Sequence, residues 1–135
     1  MSSSIPTTPQ IKVYGQTHLY LTTPIYFQLV VLKDSAFAWV ASHGNEVLQN
    51  LAVAMPPVSY GGRDSSLVPP ATTLLTRNVN ELSKQLGQKL ARKFNKQFLV
   101  SLNLPPITDQ GLIAFAEKKL VAFIKEIFEP SSTSS

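Results

Sequence analysis

The chain has 135 residues, enough for one domain with a core, of which 44% are hydrophobic and 15% charged, with a net charge of +4. It contains no cysteine, which excludes disulfides, thiolate metal sites and cysteine nucleophiles. The charged fraction is below the usual value of about a quarter, so either uncharged polar residues supply the solubility or a partner covers part of the surface. No apolar run is long enough to span a membrane, and the first residues lack signal-peptide features, so we expect a cytoplasmic or nuclear location.

The first third of the chain predicts three β-strands joined by short turns. Residues 11–21 alternate in polarity, and Gly15 in their middle indicates a bulge. The alternation predicts one apolar face that is buried away from water and one amphipathic face. The apolar, dry face consists of Ile11, Val13, Leu19 and Leu21. Residues 25–33 form a second strand that is apolar on both faces. A turn at 33–35 then leads into a third strand, residues 36–42.

The middle of the chain predicts a turn, a short strand and a long loop. His43-Gly44-Asn45 is the turn, and residues 51–55 form a fourth strand that is stopped by Pro56. Residues 56–73 predict a loop, which at this length in a compact domain is usually functional or disordered. Residues 72–75 predict a short edge strand.

An amphipathic helix and another strand follow this loop. The helix begins near Asn78, with Glu81 at the capping-box position. Its apolar positions recur every three or four residues and are Val79, Leu82, Leu86, Leu90 and Phe94. After Asn95 the period changes to two, which predicts a strand with apolar residues on one side through Leu104.

A second amphipathic helix ends the folded part of the chain. It begins near Thr108-Asp109, and Pro130 ends it. Its buried stripe is predicted to be Leu112, Ala116, Leu120, Phe123, Ile124, Ile127 and Phe128. Residues 1–10 and 130–135 are rich in Ser, Thr and Pro and predict disordered tails on either side of one domain, residues 11–129.

These elements predict an α+β fold with a mainly antiparallel sheet of five or six strands and two helices packed on one face. The second strand is apolar on both faces, yet the chain has no helix left to cover the other one. A partner subunit is the economical cover for that second face.

The predicted hairpin between the second and third strands selects the residues of that face. A two-residue turn at Asp34-Ser35 would pair Val30 with Trp39 and place Leu32 beside Phe37. A three-residue turn would instead exchange the two faces. The candidate partner interface is Tyr26, Gln28, Val30 and Trp39, since interfaces favour large aromatics beside polar groups.

The sequence shows no catalytic or metal-binding constellation, and we expect a non-enzymatic protein without a cofactor. His18 and His43 have no carboxylate or thiol neighbours at metal-ligand spacing. Gly61-Gly62 carries no phosphate-loop or dinucleotide fingerprint. The eight acidic residues are scattered, and none forms an acid–base pair with another.

The first helix carries a basic side opposite its apolar stripe. The residues of this side that we assign to docking are Lys89, Arg92, Lys93 and Lys96. The surface fits a solvated helix face, a protein-docking site or a small RNA-binding module. For RNA, stacking residues would come from Tyr14, Tyr20 and Tyr26, but the aromatic and glycine pattern of RNA-recognition motifs is absent. We therefore favour a protein partner over nucleic acid.

Three segments, taken in order along the chain, resemble one known family. They are Lys33–Val40, Asn50–Met55 and Leu90–Gln97, the last followed by Ser101, Asn103 and Leu104. Together they resemble the proteasome assembly chaperone 4 family, and the match runs from about Ile11 to Phe128. The loop after Met55, with its paired prolines and glycines, departs from the family.

The resemblance implies a small non-enzymatic chaperone that pairs with a proteasome assembly chaperone 3 homologue. It further implies that the heterodimer binds α subunits of the 20S proteasome and promotes assembly of the α-ring. The implied fold is an antiparallel sheet with helices on one face, and subunits of the family associate through their sheets. On this basis we assign Lys89, Arg92, Lys93 and Lys96 to docking on an α subunit.

Overall fold

The computed structural model describes residues 11–56, 69–76, 81–105 and 109–129. Six strands and two helices lie in these ranges. The strands are β1 (Lys12–Tyr20), β2 (Thr23–Val31), β3 (Ser35–Ser42), β4 (Leu51–Ala54), β5 (Ala71–Leu75) and β6 (Gln97–Asn103). The helices are α1 (Leu82–Phe94) and α2 (Gln110–Phe128). The predicted tails and most of the predicted 56–73 loop lie outside the described residues.

The six strands form one sheet in the order β1-β2-β3-β6-β4-β5. All neighbours are antiparallel except β3 and β6, which are parallel. The connection from β3 to β6 passes through β4, β5 and α1, and a parallel pair requires such a crossover. The predicted α+β fold with a mainly antiparallel sheet is confirmed.

Both helices lie on the same side of the sheet. α1 packs on β6, β4 and β5, and α2 packs on β1 and β2. The core lies between these layers, and its largest fully buried apolar residues are Phe27, Phe98, Ile25, Leu29, Leu90, Leu120, Ile124, Val40 and Val100. The other side of the sheet, which we call the open face, carries no helix among the described residues.

An aromatic cluster joins the two helices to the sheet. The ring of Phe98 lies 6.0 Å from that of Phe94 on α1 and 6.3 Å from that of Phe128 on α2. Phe94 and Phe128 also contact each other in an edge-to-face arrangement at 5.8 Å. The predicted α2 stripe is correct, because Ile127 and Phe128 pack against the buried core at its C-terminal end.

The orientation of β1 is opposite to the predicted one. The register with β2 places Tyr14, His18 and Tyr20 on the helix side, where Tyr14 and Tyr20 pack against the core. Val13 and Leu19, predicted to be dry, lie on the open face and are 60% and 63% exposed. Amphipathic side chains suit this position because α2 covers the edge of the sheet only in part, so their polar ends reach water.

Two other local predictions are also wrong. The ladder between β1 and β2 continues without a break through Gly15, which pairs with Gln28, so no bulge forms there. Helix α1 begins at Leu82 with Glu81 as its N-cap residue, so Glu81 is not the third helical residue of a capping box. Asn78 and Val79 lie outside the described residues.

Helix α2 is capped by Asp109, one of the two predicted starting positions. The Asp109 carboxylate accepts a hydrogen bond from Leu112 N at 2.6 Å and another from the Tyr20 hydroxyl at 3.3 Å. Partial burial raises the pKa of Tyr20 above its usual value, and the charge and hydrogen bond of Asp109 raise it further.

We expect Asp109→Ala to lower the free energy of unfolding by about 1 kcal/mol, because the Leu112 amide loses the carboxylate acceptor and keeps only the longer bond of 3.2 Å to Asp109 O. Urea denaturation of the two proteins measures this difference. Asp109→Ser keeps a capping acceptor and should recover most of the loss. Tyr20→Phe removes only the hydrogen bond from Tyr20 to Asp109 and leaves the cap intact. If it lowered the free energy of unfolding as much as Asp109→Ala does, the capping explanation would be contradicted.

Candidate partner-binding face

The open face presents no charged side chain in the six described strands. The strand register shows which residues lie on this face. It includes Val13 and Leu19 on β1, Phe37 on β3, and uncharged residues of β6 and β4. Its polar side-chain groups are all uncharged: they belong to Thr, Ser, Gln and Asn residues, to the Tyr26 hydroxyl and to the Trp39 indole N–H. An extended apolar surface without charges is unusual for water-exposed protein and typical of the centre of an interface.

The four predicted interface residues all lie on this face. The register pairs Gln28 with Trp39 and Val30 with Phe37, and Tyr26 pairs with Ala41. Gln28 is exposed, and the other three predicted residues are half-buried. Their role in binding a partner stays a prediction.

The predicted strand pairing itself was displaced by two residues. Leu32 N donates to Ser35 O at 2.9 Å, so the two-residue turn is Lys33-Asp34 rather than Asp34-Ser35. Val30 therefore pairs with Phe37 and not with Trp39, and Leu32 is not beside Phe37. Because side chains alternate with a period of two, a displacement of two residues leaves every side chain on its predicted face.

Hydrogen bonds fix two of the three large aromatic residues of the face, Trp39 and Tyr26. Trp39 Nε1 donates to Val47 O at 2.9 Å. The Tyr26 hydroxyl lies 2.9 Å from His43 Nδ1, and their rings are in edge contact. Side chains that are held before binding lose little rotamer entropy when a partner arrives.

The four residues of the predicted basic surface differ in their contacts. Lys89 Nζ forms an ion pair with Glu117 of α2 at 2.8 Å, and Lys96 Nζ lies 5.1 Å from the ring centre of Phe128. Lys89 therefore links α1 to α2, and Lys96, in the turn after α1, contacts the C-terminal end of α2. Arg92 and Lys93 lie on the exposed side of the last turn of α1. Lys89 is exposed as well, so of the four predicted docking residues only Lys96 is half-buried.

The histidines lie apart from each other and have ordinary partners. His18 contacts the ring of Phe27 edge-on and hydrogen-bonds Gln16 at 2.9 Å. His43 lies 3.4 Å from Glu46 and contacts Tyr26. Among residues 11–56, 69–76, 81–105 and 109–129, no three His, Cys, Asp or Glu side chains are grouped as metal ligands would be.

A groove of about 280 Å³ lies between the two helices on the side away from the open face. Its walls combine aliphatic and polar side chains in similar proportion, and its two charged residues, Lys89 and Glu117, form an ion pair. None of the helices in the described part of the chain is long and apolar enough to cross a membrane.

Sequence reasoning missed two parts of the candidate face. The exposed apolar residues of β1 were assigned to the covered side, although their alternation with Tyr14, His18 and Tyr20 was visible. Only His43-Gly44-Asn45 is predicted as a turn and residues 46–50 carry no prediction, yet the segment His43–Asn50 bonds to Trp39 and Tyr26 and exposes Val47 and Leu48. Two consecutive bulky aliphatic residues outside any strand were the available signal.

The fold defines a small α+β protein with both helices on one side of a six-stranded sheet and an uncharged open face on the other. Residues 24–104 match the family profile described as proteasome assembly chaperone 4. Over 96 residues the chain is 38% identical to human and 35% identical to mouse proteasome assembly chaperone 4, and each alignment covers 71% of this chain and 71% of the relative. The chain belongs to the proteasome assembly chaperone 4 family, as the three segments had indicated.

A solved structure also shares the fold. It is described as a novel chaperone complex for yeast 20S proteasome assembly, and one of its chains matches with a TM-score of 0.63. The alignment covers 85% of this chain and 95% of that chain at 14% sequence identity. At this identity the likeness concerns the arrangement of the sheet and helices.

Proposed function

We propose that this chain is a non-enzymatic chaperone subunit that forms a heterodimer with a proteasome assembly chaperone 3 homologue. The heterodimer would then bind α subunits of the 20S proteasome and promote assembly of the α-ring, in the cytoplasm or nucleus. Family membership supports the chaperone role, and the open face supports the pairing.

The observation that carries the pairing is the uncharged open face. Val13 and Leu19 are more than half exposed, and Tyr26, Phe37 and Trp39 are only partly buried within the isolated chain. Burial of apolar surface contributes about 25 cal/mol per Å², so covering this face would stabilise a complex. A partner that presents its own uncharged sheet face would meet it without leaving any charge unpaired.

The test is co-expression of the full chain with the proteasome assembly chaperone 3 homologue, followed by native mass spectrometry of the purified material. A 1:1 complex that also retains added 20S α subunits is the expected result. A chain that elutes alone in the presence of both proteins would contradict the proposal.

The alternative RNA-binding function lacks the surface that it needs. Tyr14 and Tyr20 lie on the helix side and Tyr26 on the open face, so the three tyrosines do not form one stacking platform. The open face carries no Lys or Arg to contact phosphates in the described strands.

We further propose that α-subunit docking uses the helix layer, on the opposite side of the molecule from the partner subunit. Arg92 and Lys93 are exposed at the C-terminal end of α1. Since the two proposed surfaces lie on opposite sides of the sheet, one chain can contact both partners at the same time.

We expect Arg92→Glu combined with Lys93→Glu to slow association with isolated α subunits by roughly tenfold at low salt and less at high salt, because steering by charge is screened. Stopped-flow fluorescence at two salt concentrations measures the rate. Lys89 is left intact because its reversal would place a second carboxylate against Glu117.

The control has the same change in net charge at another place. Lys12→Glu combined with Lys33→Glu alters exposed lysines at the start of β1 and in the β2–β3 turn. If the association rate fell equally in both double variants, the effect would come from net charge and not from a local docking surface. Heterodimer formation should be unchanged in both.

A further inference from the structure

The segment His43–Asn50, which joins β3 to β4, exposes two consecutive aliphatic side chains. Val47 is 39% exposed and Leu48 is 47% exposed. Exposed aliphatic residues next to each other on a connecting segment are costly in water unless another surface covers them. We propose that this segment is a preformed arm of the partner interface, in which Val47 and Leu48 contact the partner subunit. This inference rests on the proposed heterodimer.

The hydrogen bonds of the arm place it on the open-face side of the sheet. Trp39 projects from the open face, and its indole N–H reaches Val47 O. Asn103 also projects from that face, and its Oδ1 accepts a hydrogen bond from Gln49 N at 3.2 Å. Both contacts require the arm to pass over the open face at the C-terminal ends of β3 and β6, so its aliphatic residues extend the same surface.

The arm is held at both ends and in its middle. At the start, His43 N donates to Pro24 O and Asn45 N donates to Ser42 O, each at 2.9 Å. At the end, Asn50 Nδ2 donates to Leu102 O at 3.4 Å, and the Ser83 hydroxyl of α1 donates to Asn50 O at 3.2 Å. An ordered arm binds without the entropy cost of fixing a free loop.

The chemistry of the arm matches an uncharged partner surface. Glu46 is its one acidic residue, and this carboxylate accepts a hydrogen bond from Gly44 N at 2.9 Å and lies 3.4 Å from His43 Nδ1. Val47, Leu48, Gln49 and Asn50 carry no charge. The occupant that fits is therefore the uncharged sheet side of the partner subunit, continuous with its contact on Tyr26 and Trp39.

The experiment compares the Kd of the full-length chain and its variants for the recombinant proteasome assembly chaperone 3 homologue, by isothermal titration calorimetry. Val47→Gln combined with Leu48→Gln should raise the Kd by at least tenfold, and each single change by less. The matched control is Ile113→Gln, which alters a half-buried aliphatic residue on the helix side and should leave the Kd unchanged. Hydrogen exchange of residues 44–50 should slow further when the partner is added.

The outcomes separate this inference from the proposed function. If the unmodified chain does not bind the partner at all, both are overturned. If it binds and the double variant has the same Kd, the heterodimer stands and the arm is overturned. If the double variant loses only self-association of the chain, measured by sedimentation, the arm contacts a second copy and the inference is also overturned.

Discussion

Replacement of Trp39 by alanine is expected to raise the Kd of the heterodimer about 30-fold, a loss of about 2 kcal/mol or more of binding free energy. Trp39 lies on β3, one of the two central strands of the sheet, and projects from the open face beside Gln28. Buried aromatic residues near the centre of an interface contribute more than those at its rim. Calorimetric titration with the proteasome assembly chaperone 3 homologue measures the change.

The companion variant Trp39→Phe separates the two contributions of the side chain. Phenylalanine keeps an aromatic ring on the open face but cannot donate to Val47 O. We expect it to weaken binding by only a fraction of the alanine effect. Circular dichroism and the Tm of the isolated variants verify that the chain is folded. A folded Trp39→Ala chain with unchanged affinity would show that the partner does not bind the open face.

Replacement of Phe98 by alanine is expected to lower the free energy of unfolding by about 3–5 kcal/mol. Phe98 is fully buried on β6 and contacts Phe94 and Phe128, so its removal leaves a cavity where both helices meet the sheet. Domains of this size have a total stability of about 5–15 kcal/mol. The variant should therefore unfold at a much lower urea concentration.

Two comparisons test that explanation. Phe98→Leu retains most of the apolar volume and should lose much less stability than Phe98→Ala. Leu74→Ala removes an apolar side chain that is 51% exposed and should change stability little. If Phe98→Ala lost no more stability than Leu74→Ala, the three-ring cluster would not be the junction that we describe.

The sequence by itself determined most of the elements and the number of layers. Periods of two and of three to four residues gave the strands and helices, and the segment of residues 25–32 that is apolar on both sides forms most of β2, which has a neighbouring strand on each side. These patterns are local, and they arise because each element buries one side or both against a neighbouring layer. The face of each predicted interface residue depends only on whether the strand pairing shifts by an odd or an even number of residues. The turn is displaced by two, so Tyr26, Gln28, Val30 and Trp39 remain on their predicted face.

Only the tertiary structure decided which side of β1 is covered and where the polar segment after β3 goes. The apolar and amphipathic sides of β1 fit either orientation by pattern, and the choice depends on the position of α2 along the edge of the sheet. The path of His43–Asn50 depends on hydrogen bonds to Trp39, Asn103 and Ser83, which lie far away in the sequence or on other elements. Contacts of this kind leave no periodicity in the sequence, because they join single residues through space rather than repeating along an element.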